Sequence, residues 1–154
     1  MKNKIKEISR CLMAVHKILL DETRRDYERR QGMRLSPQDA WRAAMADPFF
    51  AWLRPVSKLI AEIDELLATV EEPGTGLAHG VRLEVESLLG GMTSGASFAR
   101  RYRNMMQQSP ELASRHGELK IALSDLPDSG GGEEVLTRDE WPLPDRSSES
   151  GTVH

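Results

Sequence analysis

The chain has 154 residues, of which 39% are hydrophobic and 29% charged, and its net charge at pH 7 is −3. This composition suits one globular domain and lacks the strongly basic balance of dedicated nucleic-acid binders. The single cysteine, Cys11, excludes a disulfide framework and a multi-cysteine zinc site. No apolar run approaches the ~18 residues of a membrane span, and no signal-peptide pattern follows the lysine-rich start, so we predict a cytoplasmic protein without membrane contact.

The first predicted helix covers residues 3–31 and carries one apolar face. Apolar residues three or four positions apart form that face, namely Ile5, Ile8, Leu12, Val15 and Leu19. After Leu20 the sequence becomes polar, and only Tyr27 continues the face before Gly32 ends the helix. At a rise of 1.5 Å per residue the helix would be about 40 Å long, so we expect its last turns to project.

Two proline-containing helix starts come next. A Ser-Pro pair at residues 36–37 begins a short helix that carries Trp41. An Asp-Pro pair at 47–48 begins the strongest apolar pattern of the chain, over residues 49–67. Pro55 lies within this pattern and lacks the N–H of a helix interior, which predicts a kink or a helix restart at this point.

The segment from residue 47 to 64 reads DPFFAWLRPVSKLIAEID. It resembles the centre of a family of small uncharacterised bacterial helical proteins. The stretch HKILL at residues 16–20, together with Tyr27, is similar to the first helix of the same family. The resemblance spans residues 10–122 and implies a bacterial helical domain, without a known activity, cofactor or catalytic residue.

The remaining helices are shorter. We predict one helix over residues 77–89, another from about residue 97, and a last one from a Ser-Pro start at 109–110. Together with the earlier elements they give an irregular, antiparallel all-α bundle of four to six helices over residues 1–124.

The C-terminal segment, residues 125–154, differs in composition from the rest. It holds eight acids and two bases, a charge of −6, which leaves +3 for the preceding residues. It contains few large apolar side chains, with Val135, Leu136 and Trp141 standing alone among polar residues. We therefore predict a disordered acidic tail that begins at Asp125.

The candidate ligand or partner contacts are Arg54, Trp52, Tyr27 and Phe49. An arginine beside aromatic side chains is costly to bury without an acid or a bound anion, so these residues indicate an aromatic pocket with Arg54 as the anion contact. The other interpretation is that the aromatics extend the core stripe and that Arg54 pairs with an internal acid. Both interpretations require Arg54 to be shielded from water.

Two arginine-rich segments, residues 24–34 and 100–103, raise the question of a nucleic-acid surface. Acids interleave with the first segment at helical spacing, which favours ion pairs that each stabilise an exposed helix by about 0.2–0.5 kcal/mol. A nucleic-acid surface would need both segments on one face. We also find no Glu-x-x-His pair and no catalytic motif, and therefore predict no metal ligand, cofactor or catalytic residue.

The sequence thus favours a non-catalytic protein–protein interaction or regulatory protein of the bacterial cytosol, with an unknown protein partner. Self-association into a homo-oligomer stays open, and nucleic acid is not the expected partner. The alternative function is a small-molecule or anion-binding helical protein that uses an arginine and aromatic pocket built from Arg54, Trp52 and Tyr27.

Overall fold

The structure is a computed structural model that describes residues 1–90 and 96–144. Over these residues the chain forms six α-helices and two short 3₁₀ helices, and no strand. The α-helices are α1 Lys2–Gln31, α2 Pro37–Ala46, α3 Arg54–Thr69, α4 Thr75–Gly90, α5 Ala96–Gln108 and α6 Pro110–Ser124; the 3₁₀ helices are Pro48–Leu53 and Arg138–Glu140. The predicted all-α bundle is confirmed.

Helix α1 is the central element, and it packs mainly against α3 and α6. Its predicted apolar face is buried: Ile5, Ile8, Leu12, Val15 and Leu19 all belong to the core. The helix ends where expected, because Gly32 adopts a left-handed conformation with φ 66° and donates its N–H to the carbonyl of Glu28. The polar last turns of α1 carry ion pairs, and they also contact the core through the buried Thr23 and through Tyr27.

All three helix starts at Ser-Pro or Asp-Pro pairs form as predicted. The hydroxyl of Ser36 accepts a hydrogen bond from the backbone N–H three residues later at 3.1 Å, and Ser109 does the same at 3.1 Å. The carboxylate of Asp47 accepts from the N–H two residues later at 2.9 Å. Pro55 lies in the first turn of α3, so the strong apolar pattern is interrupted by a helix restart at Arg54.

The predicted disorder is wrong for residues 125–144, which pack against the helices. Leu126, Trp141 and Leu143 are buried in the core, and Trp141 is only 1% exposed. The indole Nε1 of Trp141 donates to the carbonyl oxygen of Leu136 at 3.2 Å. The rest of the predicted tail, residues 145–154, lies outside the described residues.

Glycines of α4 allow this C-terminal segment to approach. A Cβ atom on Gly76 would overlap with the backbone carbonyl of Glu134, and one on Gly80 would overlap with that of Leu136. Because glycine has no Cβ atom, the two backbones come close enough for the N–H of Leu136 to donate to the carbonyl of Gly76 at 3.3 Å. Backbone contact of this kind compensates for the low apolar content that made the segment look disordered.

A second anchor of the segment is ionic. Nε of Arg138 donates to a carboxylate oxygen of Glu62 in α3 at 2.7 Å, across 76 positions of sequence. Both side chains are largely shielded from water. Among the described residues, no helix has the length and apolar character needed to cross a membrane.

Candidate functional site

The predicted site residue Arg54 lies on the surface. It is exposed, and it forms no ion pair with an acid among the described residues. Its neighbours Leu53 and Val56 are buried in the core, which turns the first residue of α3 toward solvent. The expectation that Arg54 is shielded and must pair with an internal acid or a bound anion is therefore wrong.

Two of the other predicted residues, Tyr27 and Phe49, do come together. Their ring centroids lie 5.4 Å apart, and both rings contact the buried Phe50, at 5.6 Å and 5.8 Å. The guanidinium of Arg30 lies 5.6 Å from the ring centroid of Phe49. This aromatic cluster joins the end of α1 to the 3₁₀ helix Pro48–Leu53, as edge and tilted aromatic contacts commonly do in cores.

Trp52 belongs to a different row of rings. Its ring centroid lies 5.6 Å from that of Phe98, which in turn stacks on Tyr102 at 5.7 Å. Tyr102 is fully buried, and its hydroxyl oxygen lies 2.8 Å from Nδ1 of His116. Burial raises the pKa of Tyr102, whereas burial and the nearby Lys120 lower the pKa of His116.

The arginine that contacts Trp52 is Arg101, not Arg54. Its guanidinium carbon lies 4.2 Å from the centroid of the Trp52 ring, in the geometry of a cation–π contact. The indole Nε1 of Trp52 is buried and has no hydrogen-bond partner among the described residues. Sequence adjacency suggested Arg54, but the contact comes from α5, which only the packing of helices reveals.

Arg101 lines a cleft of about 670 Å³, between the last turns of α1 and the junction of α5 and α6. Arg29 lines the same cleft, so the two arginine-rich segments meet here. Three acids also line it, namely Glu22, Asp26 and Glu111. A nucleic-acid surface would need both segments on one face, but this cleft brings together one arginine of each segment and mixes acids with them.

A second exposed feature lies on α2. Trp41 and Met45, one turn apart, are 66% and 64% exposed, and α2 buries none of its residues. The helix rests on the core through Ala43 and Ala44. The sequence analysis assigned Trp41 to a short helix without a functional role. The available signal was an apolar pair at i and i+4 on a short helix whose other apolar residues are alanines.

The surroundings of this α2 face are basic. Residues 24–46 contain six arginines and three acids, a charge of +3 in a chain whose net charge is −3. Asp26 is shared by Arg29 at 3.5 Å and Arg30 at 3.3 Å. Arg34 is exposed and forms no ion pair within the described part of the chain. The other arginines of the segment lie within 4.0 Å of an acid, since Arg24 and Arg25 pair with Asp21 and Glu22, which precede the segment, and Arg42 lies 4.0 Å from Asp39. Arg34 is thus the arginine of this segment that has no ion pair among the described residues.

Reactive groups are few. Cys11 is buried, and desolvation together with the carboxylate of Glu7 raises the pKa of its thiol, so the nucleophilic thiolate is disfavoured. Over residues 1–90 and 96–144, no three His, Cys, Asp or Glu side chains are grouped so that they could hold a metal ion.

Comparisons of the chain with protein-family models, curated proteins and solved structures found no match. The resemblance of residues 47–64 to small bacterial helical proteins therefore stays a prediction.

Proposed function

We propose that this chain is a non-catalytic interaction or regulatory protein of the bacterial cytosol, and that it docks its protein partner on the exposed face of α2. The observation that supports this proposal most strongly is the exposure of Trp41 and Met45, one turn apart, on a helix that buries no residue. Tryptophan is among the residues that contribute most to binding energy at protein interfaces. Neither side chain is buried against the described residues, so both are accessible to a partner.

The charge around α2 indicates the chemistry of the partner. An aromatic side chain buries roughly 150–250 Å², so Trp41 and Met45 alone fall well short of the ~800 Å² that each partner buries in a stable interface. A second copy of the chain would place the arginines of residues 24–46 against one another. An acidic, amphipathic segment of another protein would instead cover the apolar pair and reach Arg34 and Arg42 with its acids.

Site-specific photocrosslinking tests this proposal. A benzophenone amino acid replaces Met45 in the cells that make the protein, and in a matched control it replaces Ile121 of α6, which is 68% exposed. We expect a discrete crosslinked species from position 45, lost when Trp41→Ser is added, and none from position 121. Equal crosslinking from both positions, or crosslinking that persists without Trp41, would count against a docking role for α2.

A second candidate function, the binding of a small anionic ligand, is supported by a separate observation. Arg101 stacks on Trp52 at the edge of the cleft. This cleft differs from the pocket expected from the sequence, because Arg54, Trp52 and Tyr27 do not line it. The acids that line the cleft also support the expectation that nucleic acid is not the partner.

A further inference from the structure

Arg101 is exposed, and its guanidinium carbon lies 4.2 Å from the centroid of the Trp52 ring. A guanidinium carries five N–H donors within one plane. Arg101 donates no hydrogen bond to another described residue. Because its side chain lines the cleft, these donors are available to a ligand there.

The other charged groups of the cleft are largely engaged with one another. Glu22 accepts a hydrogen bond from Arg25 at 2.7 Å. Asp26 lies within ion-pair distance of both Arg29 and Arg30. Arg101, in contrast, forms no ion pair with any described carboxylate, and desolvation lowers the pKa of its guanidinium. The charge of Asp26 acts on Arg101 and opposes this lowering of its pKa, but no described carboxylate lies within ion-pair distance of Arg101.

We propose that Arg101 binds the single carboxylate of a small, amide-bearing ligand in this cleft, an inference that rests on the second function proposed above. A carboxylate can accept two parallel hydrogen bonds from the guanidinium edge. The acids Glu22, Asp26 and Glu111 line the same cleft, so a doubly charged phosphate is repelled more strongly than a singly charged carboxylate.

The remaining lining supports an amide-bearing ligand. Asn104 and Gln108 follow Arg101 along α5 and line the cleft with it. Each carries an amide that both donates and accepts hydrogen bonds. They match the amide groups of a peptide-like molecule better than an apolar ligand. Glu111 also lines the cleft and forms no ion pair with another described residue, and its charge opposes an anion.

The test uses NMR of the full, ¹⁵N-labelled chain, in which Trp52 provides an indole N–H signal next to Arg101. The probe is acetyl-glycyl-glycine with a free carboxylate. The two comparison compounds, its C-terminal amide and inorganic phosphate, are added at the same ionic strength. We expect a saturable shift of the Trp52 indole signal with the carboxylate, no saturable shift with the amide, and at least tenfold weaker binding of phosphate.

Variants assign the effect to Arg101. Arg101→Gln should weaken binding of the carboxylate at least tenfold, whereas Arg100→Gln, an adjacent exposed arginine, should leave it unchanged. Glu111→Gln should strengthen binding, because it removes a repelling charge. A thermal melt of each variant shows whether it is folded. Arg101→Lys is a second variant, which keeps the positive charge but cannot donate two parallel hydrogen bonds from a guanidinium.

The outcomes separate this inference from the function on which it rests. If phosphate binds in an Arg101-dependent manner and the carboxylate does not, the cleft is an anion site but the assigned ligand class is wrong. If neither compound gives a saturable shift, or if Arg101→Gln binds as the parent does, both the carboxylate site and the small-anion function are overturned. Equal shifts from the carboxylate and its amide would also overturn the inference.

Discussion

The carbonyl oxygen of Leu136 lies so close to Gly80 that a Cβ atom on the glycine would overlap with it. The obstructing atom belongs to the backbone, so no rotation of a side chain can make room. Gly80 therefore determines how closely residues 125–144 approach α4, and with them the burial of Trp141.

Replacing Gly80 with alanine should consequently destabilise the protein. We expect Gly80→Ala to cost about 1–3 kcal/mol in the free energy of unfolding, as overpacking typically does. Gly117→Ala is the matched control, because it lies within α6 and its Cβ would meet nothing within 4 Å. That change should stabilise the helix by about 0.5–1 kcal/mol. Urea unfolding measures the free energy of unfolding of both variants. If Gly80→Ala and Gly117→Ala changed it similarly, the close approach of residues 125–144 to α4 would be absent in solution.

Residues 125–144 should behave as part of the folded domain. Trp141→Ala should lower the free energy of unfolding by about 3–5 kcal/mol, since it empties a fully buried site. A chain truncated after Ser124 should melt well below a chain truncated after Pro144. Equal melting temperatures for the two truncated chains would mean that the segment contributes nothing to stability.

Arg54 and Arg138 should differ in their importance for stability. Arg54 is exposed and has no acid partner among the described residues, so we expect Arg54→Met to change stability by less than about 0.5 kcal/mol. Arg138 contacts a shielded carboxylate of Glu62, so Arg138→Met should cost about 1–3 kcal/mol. Thermal melts distinguish them. A large loss from Arg54→Met would indicate a buried partner after all.

Stability should fall as the pH drops through the range in which free histidine titrates. Burial lowers the pKa of His16 below its ordinary 6.5, and burial with Lys120 lowers that of His116. The unfolded chain therefore binds more protons just below pH 6.5, so stability is greatest above that pH and is lost beneath it. Between about pH 7.5 and pH 5.5 the melting temperature should fall less for a His16→Gln, His116→Gln double variant than for the parent. An unchanged slope would contradict the lowered pKa values.

Local sequence signals predicted the helices but not the pairing of side chains between them. The Ser-Pro and Asp-Pro starts, the Gly32 stop and the face of α1 depend on neighbouring residues, and all were predictable. The stacking of Arg101 on Trp52 depends on how α5 packs beside the 3₁₀ helix Pro48–Leu53, and spacing along the chain does not encode that.

The C-terminal segment was mispredicted for a related reason. Its low apolar content is typical of disorder, but its docking depends on backbone contacts with Gly76 and Gly80, which lie about 60 positions earlier. The spacing of small residues on α4 was the available signal. It indicates close backbone approach only once a second segment is known to cross the helix.

The most direct test of the proposed docking role is the binding of a labelled model peptide, measured by fluorescence anisotropy. The peptide is an amphipathic helix of leucine and glutamate, and its control carries lysine in place of glutamate. We expect saturable binding of the acidic peptide to the parent and to the control variant Ile121→Ser. The acidic peptide should bind a Trp41→Ser, Met45→Ser double variant at least tenfold more weakly. The basic peptide should bind the parent at least tenfold more weakly than the acidic peptide does. Equal affinity of the parent and the double variant, or of the two peptides, would contradict a docking surface on α2 for acidic partners.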